Sequence, residues 1–181
     1  MLGLGNTLSK TSNSVIPGAG GSPPPVGFDK TFSFASTIED WSSFNGTLAQ
    51  IASHTPSSDV EKTGILEVTD GSGTITCSIS LDFSTLTDFD NTQALYYEIV
   101  FSVPTLGDFT GIQKVLYGSG GSEVSHTSPT PTENVWTTIN GELTTAGSSD
   151  EIVIFFTPTS SVAFGSKIYI DSMRFSHTDF R

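Results

Sequence analysis

The stretch Lys167-Ile-Tyr-Ile-Asp171-Ser-Met-Arg-Phe175, near the end of the chain, has the alternation of a half-buried β-strand. Large side chains recur there at every second position, at Tyr169, Asp171, Met173 and Phe175. Successive side chains of a strand point to opposite faces, so this spacing predicts a strand with one face toward a core. Leu95-Tyr-Tyr-Glu-Ile99-Val-Phe101 repeats the pattern. Such alternation is typical of antiparallel sheets.

The rest of the chain predicts further short strands separated by turn signals, and no segment has a 3.6-residue apolar stripe. The predicted strands are 31–35, 47–53, 64–69, 74–83, 94–103, 112–117, 135–143, 151–157 and 167–176. Asp70-Gly71 predicts a tight hairpin between the third and fourth of them. Ile152–Phe156 is apolar on both faces, which predicts a central strand. Together these features predict an all-β fold, an antiparallel β-sandwich.

The first 28 residues differ in composition from the remainder. They carry one charged residue, Lys10, whereas all 19 Asp and Glu follow them. Glycines at 18, 20 and 21 and prolines at 23–25 give this segment the composition of a linker. We therefore predict an extended N-terminal arm, residues 1–28, and a folded domain, residues 29–181. The arm's apolar residues predict anchoring to a partner, the alternative being a frayed terminus: Met1, Leu2, Leu4, Leu8, Val15 and Ile16.

Charge and composition exclude several classes of function. The net charge of −12 disfavours binding to nucleic acids and to anionic membranes, which require cationic surfaces. No stretch approaches the roughly 20 apolar residues of a membrane-spanning helix, and no signal peptide is recognisable. The single cysteine, Cys77, rules out an internal disulfide, and its apolar strand context predicts a buried side chain rather than a reactive thiol.

The sequence contains few patterns that could serve catalysis. His54, His126 and His177 are far apart and lack the spacing of a metal motif. Neighbouring acids at 39–40 and at 88 and 90 could in principle serve glycoside hydrolysis, but such pairs in turns are commonly solvated. We therefore expect no enzymatic activity, no cofactor and no metal.

The order of motifs resembles the carbohydrate-binding-module-like jelly rolls, the galactose-binding-like group, over residues 28–176. In that group an early Phe and Trp open the domain, a Trp-x-x-Ile-x-Gly strand follows its middle, and a Tyr-Ile-Asp strand closes it. The matching segments here are Phe34…Trp41, Gly64–Val68, Leu95–Phe101, Val135–Gly141, Ile152–Phe156 and Lys167–Phe175.

The resemblance implies a jelly roll and sets expectations for particular residues. Trp41 and Trp136 match buried positions, which leaves Tyr96 and Tyr117 as candidate glycan-binding rings. The group's structural calcium uses an opening acid, which falls near Ala35 here, and a closing Asp, which is Asp171. Since alanine offers no ligand, we expect no calcium and expect Asp171 to accept backbone hydrogen bonds instead.

Met1–Leu8, followed by the Ser/Gly/Pro linker, resembles the start of small structural proteins of tailed bacteriophages. This implies a virion protein, made in the host cytoplasm, that decorates or cements a capsid or forms a head fibre. Its partners would be the major capsid or tail protein, and it would form a homo-oligomer such as a trimer. The alternative is a tail-fibre module that binds a host-surface glycan or receptor. A binding module associated with a hydrolase is the third hypothesis.

Overall fold

The computed structural model describes residues 28–71, 73, 77–127, 129–159 and 163–181. The six predicted anchoring residues of the arm lie outside them. The described residues contain eleven strands and no helix that could cross a membrane. The strands are β1 Asp29–Phe32, β2 Ser42–Phe44, β3 Gly46–His54, β4 Lys62–Asp70, β5 Ser78–Asp82, β6 Leu95–Ser102, β7 Phe109–Tyr117, β8 Glu123–Ser125, β9 Trp136–Leu143, β10 Glu151–Pro158 and β11 Lys167–Ser176.

The strands form two antiparallel sheets, which confirms the predicted sandwich. Sheet A has the order β3-β4-β11-β6-β9, with β1 pairing the C-terminal half of β11 beside β4. Sheet B has the order β2-β5-β10-β7-β8, so the apolar strand β10 is central, as its sequence predicts.

The core lies between the sheets and is rich in aromatic rings. Phe32 and Trp41 pack at a centroid distance of 5.6 Å, and Phe83 and Phe175 at 5.5 Å. Each such side chain contributes about 2 kcal/mol through burial. Cys77 is fully buried, as predicted, and burial raises the pKa of its thiol to about 11. Phe28, assigned from sequence to the arm, is also buried and packs on Phe83.

A β-bulge interrupts β11. The register with β6 shifts between Ile170 and Ser172. Ile168 and Ile170 are buried before the bulge, and Met173 and Phe175 after it. The predicted single alternation from Tyr169 to Phe175 is therefore wrong. The extra residue of the bulge changes the buried positions from even-numbered residues before it to odd-numbered residues after it. Tyr169 and Asp171 are half-buried on the outer face of sheet A.

The predicted tight hairpin at Asp70-Gly71 is also wrong. β4 belongs to sheet A and β5 to sheet B, so this segment passes from one sheet to the other. Asp70 is buried, and its carboxylate accepts a hydrogen bond from the Gly73 amide at 2.6 Å. The Gly71 amide donates to the Asn45 carbonyl at 2.9 Å, which ties the passage to the start of β3.

Candidate functional site

The free end of the β3–β4 hairpin lies across the outer face of sheet A. β4 pairs with β11 only from Leu66 to Thr69, and the hairpin leaves the sheet at Gly64, where φ is +70°. The indole Nε1 of Trp136 donates to the carbonyl of Val60 in the hairpin loop at 2.9 Å. Because β3 and β9 are opposite edge strands of the sheet, this contact requires the hairpin end to cross its face.

Three rings meet beneath this hairpin end, and we call them the ring cluster: His54, Tyr169 and Trp136. His54 stacks on Tyr169 with a centroid distance of 3.6 Å and an interplanar angle of 15°. Trp136 meets His54 edge to face at 5.8 Å. All three are half-buried, so they combine a fixed position with partial access to solvent.

The hairpin loop holds Trp136 by its backbone as well. The Trp136 amide donates to the carboxylate of Asp59 at 2.9 Å. This bond and one from the Val60 amide lower the pKa of Asp59. The ionised carboxylate of Asp59 therefore accepts both hydrogen bonds and joins the backbone of Trp136 to the hairpin loop.

Two ion pairs flank the rings. Lys62 Nζ lies 2.8 Å from Asp171 Oδ2 and 5.2 Å from the centroid of the Trp136 ring. Lys167 Nζ lies 2.8 Å from Glu67 Oε1, and this hydrogen bond raises the pKa of Lys167. The site thus carries two ammonium groups and two carboxylates beside planar apolar surfaces. Such a surface can exchange several hydrogen bonds with a polar ligand while packing against its apolar parts.

His54 is the neutral centre of this arrangement. Burial lowers the pKa of its imidazole, against the smaller opposing effect of Glu67. Its Nε2 is buried and has no hydrogen-bond partner within the described ranges. Burial likewise raises the pKa of the Tyr169 phenol, so both rings are uncharged near neutral pH.

The structure separates the residues predicted to bind glycans. Tyr117 is fully buried in the core and offers no ring face to a ligand, so we remove it from the candidate glycan-binding residues. Tyr96 is half-buried, with the Arg181 guanidinium 4.9 Å from its ring centroid. Trp41 is buried, as expected, whereas Trp136, expected in the core, lies in the ring cluster.

Asp171 does not fit a calcium site. Its carboxylate accepts from Lys62 Nζ and from Ser172 Oγ, at 2.8 and 3.2 Å, so the expected backbone donors are replaced by side chains. Lys62 supplies the positive charge that a metal would bring. In the described parts of the chain, no group of three or more His, Cys, Asp or Glu is placed to hold a metal ion.

One acid of each pair noted in the sequence holds a loop. Glu39 accepts from the Phe34 amide at 2.9 Å, beside a turn of left-handed residues. Asp90 accepts from Thr92 and Gln93, which lowers its pKa to about 2. A carboxyl held so acidic is a poor proton donor for glycoside hydrolysis.

No sequence motif marks His54 and Lys62 as site residues, since both flank a polar turn. Trp136 was visible as an aromatic residue, but its motif position suggested burial. These residues come together only because the end of the β3–β4 hairpin crosses the outer face of sheet A, and no local sequence pattern predicts that crossing.

Solved structures of carbohydrate-binding modules share this fold. The family 22 xylan-binding domain of Xyn10C from Paenibacillus barcinonensis has a TM-score of 0.58 and 11% identity, over 81% of this chain and 91% of that chain. The C-terminal family 22 module of Clostridium thermocellum Xyn10B gives 0.55 and 12%, over 81% and 91%. A variant of the family 29 module CBM29-2 gives 0.50 and 11%, over 83% and 86%.

These likenesses show that the domain is a β-sandwich jelly roll of the kind found in carbohydrate-binding modules. In sequence, no protein-family model and no curated protein matches the chain.

Proposed function

We propose that this protein is a non-catalytic glycan-binding module whose ligand lies on the outer face of sheet A at the ring cluster. The observation that carries the proposal is the meeting of Trp136, His54 and Tyr169 with the Lys62–Asp171 ion pair on one sheet face.

The chemistry of the face suits a sugar. Pyranose rings present apolar C–H patches that pack on aromatic surfaces, while their hydroxyls exchange hydrogen bonds with charged side chains. A carboxylate accepts hydrogen bonds from the hydroxyls of a sugar, and an ammonium group donates hydrogen bonds to them. Each ion pair can therefore bind a hydroxyl group both as donor and as acceptor. The crossing hairpin fixes these groups before binding, which reduces the entropy lost on association.

The structural neighbours support the glycan-binding alternative over the virion-scaffold hypothesis. They are binding modules, and one is named for xylan, which also agrees with the expectation of no enzymatic activity. Attachment to a capsid or tail through the arm, oligomerisation and the virion location stay predictions, because they concern residues 1–27 and partners outside the described domain.

Binding to xylan and other neutral plant or bacterial polysaccharides tests the proposal. We expect affinity electrophoresis and calorimetry to detect a ligand, and Tyr169→Ala and Lys62→Met each to weaken it by about tenfold or more, equivalent to about 1.4 kcal/mol. The matched control is Phe44→Ala, which removes an aromatic ring 66% exposed on an edge strand of sheet B.

Circular dichroism would verify that each variant is folded. The proposal fails if a broad glycan array shows no binding, or if Phe44→Ala reduces binding as much as Tyr169→Ala does.

A further inference from the structure

A second concavity lies at an open side of the sandwich, away from the ring cluster. β9 is the edge strand of sheet A and β8 that of sheet B on this side, and the described residues between them, 126–127 and 129–135, span the gap. Beneath this connection is a cavity of about 500 Å³. That volume lies within the range of sites for small molecules.

The floor of the cavity is apolar. It is formed by the buried side chains Phe101, Ile112 and Ile139, which come from both sheets. Pro131 closes one side, packed against Gly111: a Cβ built on this glycine would lie 2.9 Å from the proline Cγ. Gly111 has φ +116°, so its backbone conformation also favours glycine.

The walls are polar but uncharged. They carry hydroxyl, amide and imidazole groups, from Thr110, Gln113, Ser125, His126, Thr127 and Thr130. Within the described ranges, no Asp, Glu, Lys or Arg lines the cavity, although the chain has a net charge of −12. An ionic ligand would lose its hydration here without gaining a counter-charge, whereas a neutral ligand would not.

His126 lines this space, and its contact with Tyr97 assigns the proton on its ring. Its Nε2 lies 2.6 Å from the hydroxyl of Tyr97, a fully buried residue. Burial raises the pKa of Tyr97, so the phenol keeps its proton, and a buried hydroxyl needs an acceptor. Nε2 therefore accepts this proton, and the other ring nitrogen, Nδ1, carries the imidazole hydrogen.

We infer that this cavity is a second binding site, for a single neutral sugar unit such as the end of a glycan chain. The apolar floor packs against the C–H face of the sugar, and the hydroxyl, amide and imidazole groups bind its hydroxyls. The site is independent of the ring cluster. Phe101 and Ile139 point into the sandwich, whereas Trp136 and Tyr169 lie on the outer face of the same sheet.

Titration of the full chain with glucose, galactose, mannose and xylose, followed by amide NMR shifts, tests this site. We expect at least one of them to cause saturable shifts at Gln113, His126, Thr127 and Thr130, with a Kd of about 1–10 mM. Glucuronate, which carries a charge, should cause none.

Two cavity variants should weaken binding by about tenfold. Gln113→Ala removes an exposed amide, and Thr110→Phe places a ring in the space. Gln50→Ala, a glutamine on β3 outside the cavity, is the matched control, and Tyr169→Ala should leave these shifts unchanged.

Absence of saturable shifts for all four neutral sugars would overturn the second site. So would unchanged binding by both cavity variants, or a preference for glucuronate. Shifts confined to residues of the ring cluster would overturn it as well and would leave the proposed function standing.

Discussion

Gly141 on β9 determines how Tyr97 packs in the core. The two residues are cross-strand partners, and a Cβ built on Gly141 would lie 2.5 Å from the Tyr97 hydroxyl and 2.7 Å from Cζ. Glycine at this position therefore lets the phenol lie flat over the strand and reach His126. This gives a physical reason for the glycine in the Trp136…Gly141 motif, which is part of the resemblance to carbohydrate-binding-module-like jelly rolls.

Replacing this glycine is the first prediction. Gly141→Ala should lower the free energy of unfolding by about 1–3 kcal/mol, because the ring of Tyr97 is buried and must shift to admit a methyl group. Urea denaturation followed by fluorescence measures the change. Gly107→Ala is the control, since its new Cβ would meet only Thr105 Cγ2 at 3.4 Å.

A double variant locates the clash. The Tyr97→Phe variant lacks the hydroxyl oxygen, which is the atom nearest to the new methyl group. In this background Gly141→Ala should therefore lower the free energy of unfolding by less than it does in the native protein. An equal cost in both backgrounds would show that the hydroxyl is not the obstacle.

At single positions, the sequence predicted burial better than function. Trp41 and Cys77 are buried as expected because they follow the alternation of their neighbours. Trp136 occupies a motif position that predicts burial in the core. It is, however, the first residue of an edge strand, and its indole lies under the hairpin loop. The role of Lys62 as the partner of Asp171 joins residues 109 positions apart, which no local pattern reveals.

At the scale of elements, the β3–β4 hairpin is the feature that builds the candidate site. Its bend depends on Gly64, which has φ +70° and lies against the β1–β2 segment. A Cβ there would be 2.7 Å from the Ser33 carbonyl oxygen and 3.0 Å from Ala35 Cα. These are backbone atoms, so they cannot yield as the end of a flexible side chain can.

Substitution at the bend is the second prediction. Gly64→Ala should destabilise the domain by about 2–4 kcal/mol, the sum of a left-handed alanine and a backbone clash. It should also displace His54 from Tyr169 and so weaken glycan binding. Thermal denaturation and the NMR shifts of the His54 ring protons report the two effects.

The variant Gly120→Ala distinguishes the cost of a left-handed backbone conformation from the cost of a steric clash. Gly120 has nearly the same φ, +75°, but no atom lies within 4 Å of its virtual Cβ. The Gly120→Ala substitution should therefore lower the free energy of unfolding by only about 1 kcal/mol. If the two variants were equally stable, the packing of Gly64 on residues 33–35 would not support the hairpin.

Hydrophobic alternation predicted where the strands lie in the sequence. It did not predict which strands pair with one another. β6 and β10 lie where their patterns placed them, because buried strands need long apolar runs. β2 and β8 have three residues each, too few for a periodic signal. Asp70-Gly71 has the composition of a hairpin turn, but the strands on either side of it pair in different sheets, and only long-range packing determines that choice.

At the scale of the whole molecule, Phe28 is the first residue that the structure describes, and it contacts the last strand of the domain. Its carbonyl accepts a hydrogen bond from the His177 amide at 2.9 Å, and its ring packs 5.2 Å from that of Phe89. Phe28 and β1 therefore link the start of the domain to its last strand.

Truncation at this boundary is the third prediction. Removal of residues 1–27 should leave the melting temperature of the domain within about 3 °C of that of the full chain and should preserve sugar binding, because the core and both proposed sites lie in residues 28–181. Removal of residues 1–32 is the matched comparison. It also deletes β1 with the buried rings of Phe28 and Phe32, so it should cost about 3 kcal/mol or more. Differential scanning calorimetry distinguishes the two. If the shorter deletion already unfolded the domain, the arm would be part of the fold and not an attachment segment, and the division of the chain near residue 28 would be wrong.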